Sequence, residues 1–274
     1  MKMHLLADHL RYPRMTTAEL RESFLLEKLY QPGTIQLTYV DLDRAVVGFA
    51  APESSSLLLP TDNALKASYF IERRELGALN IGGAGSITVN GQRYDLANLD
   101  CLYIGKGNRE ITFASEDNAK PAVFYLLSYQ AHSPFPTTLI RKEDADPTEL
   151  GSTETSNKRT IYKYIHLRGA RSCQLGVTHL AVGSVWNTMP PHTHMRRSEI
   201  YMYFNLEQSA RVFHLMGPAD ETRHFVMKDR EIIISPGWSI HAGAGTSSYS
   251  FCWGMGGENQ DYADMDSVSV QSLL

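Results

Sequence analysis

Pro190-Pro191-His192-Thr193-His194-Met195-Arg196-Arg197-Ser198-Glu199 is the most informative stretch of this chain. Side chains alternate along an extended strand, so His192 and His194 project their imidazoles from one face, a few ångströms apart. That spacing suits two ligands of one metal ion. Glu199 follows at an odd offset that would turn it away if the strand ran on. The chain must therefore turn through Met195 to Ser198 if the carboxylate is to join the pair. A fourth candidate ligand, His241, lies in S-P-G-W-S-I-H-A-G-A-G at 235–245, where Pro236-Gly237 predicts a tight turn into a returning strand. Three imidazoles and one carboxylate form a hard-to-borderline donor set that suits Zn, Mn, Fe, Co or Ni, one ion per chain.

The sequence around this stretch has the rhythm of a β protein. Short apolar runs such as I-Q-L-T-Y-V (35–40), A-V-V-G-F-A (45–50), G-S-I-T-V-N-G (85–91) and E-I-Y-M-Y-F-N-L (199–206) are punctuated by Gly, Pro, Asn and Asp. The fold class read from this is mostly β, a sandwich or barrel. One helix is expected near the N-terminus, over residues 16–30, where Leu20, Phe24, Leu25 and Tyr30 fall near helical spacing behind threonine caps. Pro, Ser, Thr and charge gather between residues 132 and 160, which predicts an inter-domain connection and domains of 1–150 and 151–274. The halves also read as distant copies. R-R-E-L-G-A-L-N-I (73–81) parallels R-R-S-E-I-Y-M-Y-F-N-L (196–206), and D-C-L-Y-I-G-K-G (100–107) parallels D-R-E-I-I-I-S-P-G (229–237). Glu75 then parallels Glu199, but no H-x-H precedes it and no His follows G-K-G, so the first half is expected to hold no metal.

Composition narrows the functional classes. A formal net charge of -4 over 274 residues, with scattered basic residues, argues against nucleic acid as a partner. Local pairs such as Arg73-Arg74 and Arg196-Arg197 can still make a positive pocket for a small anion. The three cysteines are far apart and lack C-x-x-C spacing, so they indicate neither a disulfide framework nor a zinc-thiolate site. An apolar start broken by His and Asp, and the lack of any run of about 18 apolar residues, give an expectation of a cytoplasmic protein without a membrane partner.

H-T-H-M-R-R-S-E followed by P-G-W-S-I-H resembles the two motifs of cupins, small antiparallel barrels that hold a metal on three His and one Glu. The second motif departs slightly, with three residues between Gly237 and His241. A resemblance covering nearly the whole chain runs through residues 69–91, L-Y-I-G-K-G (102–107), T-S-N-K-R-T-I-Y-K-Y (155–164), W-N-T-M-P-P-H-T-H-M-R-R-S-E (186–199), E-T-R-H (221–224) and W-G-M-G-G-E-N-Q (253–260). In these strings the chain resembles the 4-deoxy-L-threo-5-hexosulose-uronate ketol-isomerase family. The resemblance implies a bicupin homohexamer of two jelly-roll-like domains, acting in pectin and uronate breakdown. It also implies zinc on His192, His194, Glu199 and His241, and a small acidic sugar as substrate.

An aldose-ketose isomerisation needs a proton shuttle beside the metal. Period-two spacing places Tyr201 and Tyr203 on the face of Glu199, which makes Glu199 and Tyr201 the candidate catalytic residues. The substrate's carboxylate calls for a cation, and Arg196, Arg197, Arg223, Arg159 and Lys163 are the candidates. His179, His214 and His224 are read as structural. Two other readings use the same residues: a cupin dioxygenase, marked by dependence on oxygen, and a non-catalytic sugar-acid-binding cupin.

Overall fold

The computed structural model describes residues 1–166, 172–258 and 261–274. The chain divides into two compact units: Met1–His4, Lys28–Ala145 and Tyr164–Gln174 form one, and Leu5–Glu27, Asp146–Lys163 and Leu175–Leu274 the other. Residues 5–27 therefore pack with the later part of the chain, although by sequence position they belong to the earlier part.

Each unit contains a seven-stranded and a four-stranded sheet. In the first unit the larger sheet runs Lys2–His4, Ile35–Val40, Val46–Ala50, Phe124–Gln130, Arg74–Asn80, Cys101–Ile104, Thr138–Ile140. The smaller runs Leu57–Leu58, Ile111–Ser115, Gly85–Val89, Gln92–Leu96. In the second unit the larger sheet runs Thr148–Leu150, Arg159–Ile165, Gln174–Leu180, Ser250–Gly257, Arg197–Phe204, Ile232–Ser235, Leu25–Leu26. Its smaller sheet runs Trp186–Asn187, Ile240–Gly245, Val212–Gly217, Arg223–Met227. Neither sheet closes on itself, so each unit is an open jelly-roll-like sandwich and not a sealed barrel.

The two strand orders match position by position, and the register carries the match to single residues. Leu76 pairs with Ile104 as Ile200 pairs with Ile234, which sets Glu75 against Glu199. Ile111, opposite Val89, takes the place that His241 has opposite Met216. Glu75 itself is fully buried and engaged: the Tyr103 hydroxyl and the Cys173 backbone N–H donate to its two oxygens at 2.6 and 2.7 Å. The apolar core of the first unit is aliphatic and phenylalanine-rich, with Ile87, Val89, Ile111, Phe113 and Phe124 all buried. In the second unit Tyr201, Tyr203 and Tyr249 enter the core, and His214, Asn187 and His241 are buried as well. Buried polar groups are costly unless paired; both units carry some, among them Arg74, Glu75 and Asn80 in the first, but the buried imidazoles of His194, His214 and His241 lie in the second.

The N-terminal helix is shorter than the periodicity predicts. It spans Thr17–Phe24 behind a capping box, with the Thr16 N–H donating to Glu19 at 2.8 Å and the Glu19 N–H to the Thr16 hydroxyl at 3.3 Å. Leu25 and Leu26 leave it to pair with Ile233 and Ile232 at the edge of the larger sheet. There the apolar pair gains both burial and ladder hydrogen bonds, which outweighs continued helix. Tyr30, the last residue of the predicted period, instead lies edge-on to Phe49. Phe24 is fully buried against Tyr12, Phe225 and Trp238, a burial that contributes on the order of 2–3 kcal/mol. All three cysteines are buried and none forms a disulfide among the described residues.

Candidate metal centre

His192 and Thr193 form a two-residue strand paired with Ser267 and Asp266. The chain then turns as the odd spacing requires: the His194 carbonyl accepts the Arg197 N–H at 3.2 Å, and the strand of Glu199 begins at Arg197. Gly237 lies against this turn so closely that a Cβ there would stand 2.9 Å from the Met195 carbonyl oxygen and 3.0 Å from that of His194. The Pro236 carbonyl accepts the Ser239 N–H at 2.9 Å, and the next strand, Ile240–Gly245, delivers His241.

One donor atom from each of His192, His194, Glu199 and His241 lies within 4.8 Å of the others. Nε2 of His241 is 2.9 Å from Nε2 of His192 and 2.9 Å from Oε2 of Glu199, and Nε2 of His194 is 3.0 Å from the same oxygen. The Nδ1 of His194 lies 2.9 Å from the Arg197 carbonyl, which can only accept, so Nδ1 carries a proton and Nε2 is the nitrogen turned toward the cluster. Burial, then His241, push the His192 imidazole down to about 3 and keep it neutral. Burial alone would raise the Glu199 carboxyl, but His241 and His194 outweigh it and hold the group well below the usual carboxylate range. Four electron-pair donors thus converge, with an anionic oxygen among three imidazoles. This donor set fits a divalent ion of the zinc or first-row transition type.

A cavity of about 280 Å³ opens over the cluster. Its walls include Tyr201, Phe251, Trp253, Tyr262 and Met265, of which only Tyr201 was legible as a site residue. Trp253 fits because Gly176 faces it: a Cβ there would lie 2.0 Å from the indole. Tyr262 and Met265 arrive from the C-terminal segment. Of the quoted W-G-M-G-G-E-N-Q string, Asn259 and Gln260 lie outside the described residues. The Tyr201 hydroxyl is 3.1 Å from that of Thr188, and burial, reinforced by the Glu199 charge, raises its pKa well above the usual phenol value. Tyr203 points deeper, to Nδ1 of His214 at 2.7 Å.

The five basic candidates separate clearly. Arg223 lies outside the cavity, bound to Glu221 at 2.5 Å and to the Pro13 carbonyl at 2.8 Å. Arg196 is also outside it and pairs with Asp264. Arg197 lines the cavity but is committed to Asp264 at 2.8 Å and to the carbonyls of Asp261 and Tyr262 at 2.7 and 3.0 Å. Lys163 lines it too and is paired with Asp146 at 2.8 Å. Arg159 lines the cavity and donates only to the Asn157 carbonyl, at 3.0 Å. Among the described residues it is the lining cation without a carboxylate partner. Of the histidines read as structural, His179 bonds Ser250, His214 is buried beside Tyr201 and Tyr203, and exposed His224 lies against Phe213.

Paired jelly-roll-like sandwiches with three His and one Glu converging inside one of them are the arrangement of a bicupin. The chain belongs to the KduI/IolB family, whose family model matches residues 26–270. It is 51% identical over 260 residues, 94% of each chain, to 4-deoxy-L-threo-5-hexosulose-uronate ketol-isomerase of Shouchella clausii. Among solved structures it is similar to an IolB-like protein from Salmonella typhimurium, with a TM-score of 0.70 at 14% identity over 90% of this chain and 97% of that one. It is also similar to Bacillus subtilis oxalate decarboxylase, described with Mn(II) centres, with a TM-score of 0.57 at 12% identity over 82% of this chain and 71% of that one.

Proposed function

We propose that this protein is a metal-dependent 4-deoxy-L-threo-5-hexosulose-uronate ketol-isomerase that interconverts 5-dehydro-4-deoxy-D-glucuronate and 3-deoxy-D-glycero-2,5-hexodiulosonate in uronate catabolism. One zinc ion per chain is held by His192, His194, Glu199 and His241 in the C-terminal domain, read as residues 151–274. The N-terminal domain, residues 1–150, holds none, its counterpart positions being Glu75 and Ile111. The observation that carries this reading is the convergence of four donor atoms within 4.8 Å beneath a cavity, in a chain half identical to a protein named for the activity.

When bound, the metal supplies Lewis acidity, which polarises a carbonyl oxygen and stabilises negative charge developing on it. The reaction moves one hydrogen from the second carbon to the aldehyde carbon, and a hydroxyl hydrogen from the second oxygen to the first. It balances without oxidant, nicotinamide or nucleotide. Arg159 binds the substrate's carboxylate with its two-pronged guanidinium. Tyr201, held by Thr188 and facing the same cavity as Glu199, donates to the oxygens of the reacting carbons and passes the hydroxyl proton between them. Glu199 adds one negative charge to the three imidazoles, so the donor set would partly offset the charge of a divalent ion before substrate enters. Trp253 and Tyr262 exclude water from the reacting carbons.

The same reading takes the protein to be a cytoplasmic homohexamer; light scattering that finds only monomer at micromolar concentration contradicts that part. The activity is tested by following the two sugar acids by NMR with zinc-loaded protein under anaerobic conditions. Interconversion without oxygen supports the isomerase. Loaded protein that leaves both sugar acids unchanged but consumes oxygen with another substrate refutes it in favour of a dioxygenase.

A further inference from the structure

The first unit contains a second concentration of positive charge, around the Arg73-Arg74 pair and outside the candidate metal centre. Arg44, Arg73 and Arg74 line a recess of about 280 Å³ together with Tyr39 and Gln130. Its apolar wall includes Phe70 and Leu65, and no carboxylate is among the described residues that line it. Arg74 is only 4% exposed. Its guanidinium donates to neutral acceptors alone, the Ser128 hydroxyl at 3.1 Å and the carbonyls of Ser128 and Arg44 at 2.8 and 2.7 Å.

A buried charge satisfied only by neutral groups is costly, and two more guanidiniums at the same recess add repulsion. The other deeply buried arginine among the described residues, Arg197 at 2% exposure, is paired with Asp264 at 2.8 Å. Among the described residues none of Arg44, Arg73 and Arg74 is paired with an acid. Burial pushes the Arg74 guanidinium down to about 10, which still leaves it charged at neutral pH. The carbonyl of Arg44 reaches Arg74 from a turn in which two successive non-glycine residues, Asp43 and Arg44, have φ of 47° and 51°. That left-handed pair costs on the order of 1–2 kcal/mol per residue, strain spent on holding the buried cation in place.

We propose that this recess binds the oxyanion group, carboxylate or phosphate, of a small anion. The three guanidiniums hold the charged head, and Phe70 and Leu65 face its carbon skeleton. The site is independent of the isomerase reading, because none of its residues lines the cavity of the second unit.

The test is calorimetric titration of the full-length zinc-loaded protein with inorganic phosphate and, separately, succinate, at constant ionic strength set by chloride. Saturable binding of either probe is expected, weakened about tenfold or more in Arg44→Ala/Arg73→Ala, as loss of charge-assisted hydrogen bonds implies. Both substituted residues are exposed, so the variant is expected to melt like the parent and to keep its isomerase activity. Arg159→Ala is expected to bind the probe as the parent does. In the unmutated protein the probe that binds is also expected to protect Arg44 and Arg73 from phenylglyoxal while leaving exposed Arg14 reactive. Binding of phosphate alone assigns a phosphoryl group, and binding of succinate alone a carboxylate. Heat no greater than with chloride, binding unchanged in the double variant, or absence of protection overturns the proposal.

Discussion

Replacing Arg159 by Ala removes a guanidinium that lines the cavity and has no carboxylate partner among the described residues. If it receives the substrate's carboxylate, two charge-assisted hydrogen bonds are lost. Each is worth about 1.5–3 kcal/mol, so the combined loss is roughly 3 kcal/mol even at the low end. At about 1.4 kcal/mol per factor of ten, kcat/KM falls on the order of 100-fold. Arg159→Lys keeps the charge but not the fork, and is expected to recover part of this loss. Lys163→Ala serves as the internal control: its ammonium is already engaged by Asp146, so its loss is expected to be smaller. The assay is steady-state isomerisation followed by NMR, with zinc content measured on the same samples, because Arg159 is not in the donor cluster. A kcat/KM within threefold of the parent for Arg159→Ala, with zinc retained, refutes the assignment of this residue.

Elemental analysis is expected to give one zinc per chain, falling to near zero in His192→Ala/His194→Ala; two ions per chain contradicts a metal-free first unit. Tyr201→Phe is expected to keep its zinc and lose roughly 100-fold or more in turnover, the usual size of an acid-base contribution; unchanged turnover removes the hydroxyl from the mechanism. Gly176→Ala drives a methyl into the Trp253 ring and is expected to cost about 1–3 kcal/mol of stability and to raise KM, read by thermal melts and kinetics. His214 is buried, and burial depresses its folded-state value to about 3. Below the unfolded value of about 6.5 the unfolded chain binds the extra proton, so this stability is present above pH 6.5 and is lost as pH falls toward 3, at up to about 1.4 kcal/mol per unit. His214→Gln is expected to flatten that acid limb in denaturant titrations, and an unaltered limb contradicts the assignment.

The β architecture and the four clustered side chains were legible because each leaves a local trace. Alternation marks strands, H-x-H fixes two imidazoles on one face, and the odd offset to Glu199 demands a turn that the structure forms at Met195-Arg196. Strand pairing added what local pattern lacks. Leu25 and Leu26 fit a helical period equally well, and only the open edge beside Ile232 and Ile233 makes them a strand. Five basic residues could not be ranked, since what separates Arg159 from Arg197 is the presence of Asp264, brought in from 67 residues downstream. Tyr262 and Met265 were invisible for the same reason. They sit in a segment without β rhythm and reach the cavity only through tertiary contacts.

His192 is held differently from its three companions. His194, Glu199 and His241 are buried, the last two in strands of the main sheets, whereas His192 is half-buried and rests on a two-residue ladder with Asp266 and Ser267. Such a short ladder opens locally at small cost, independently of global unfolding. Under the proposed metal assignment, ion exchange then begins at this ligand. The rate at which a chelator strips the protein reports the opening of residues 266–267, and a substitution that weakens that pairing shortens metal residence time while leaving the other three ligands in register.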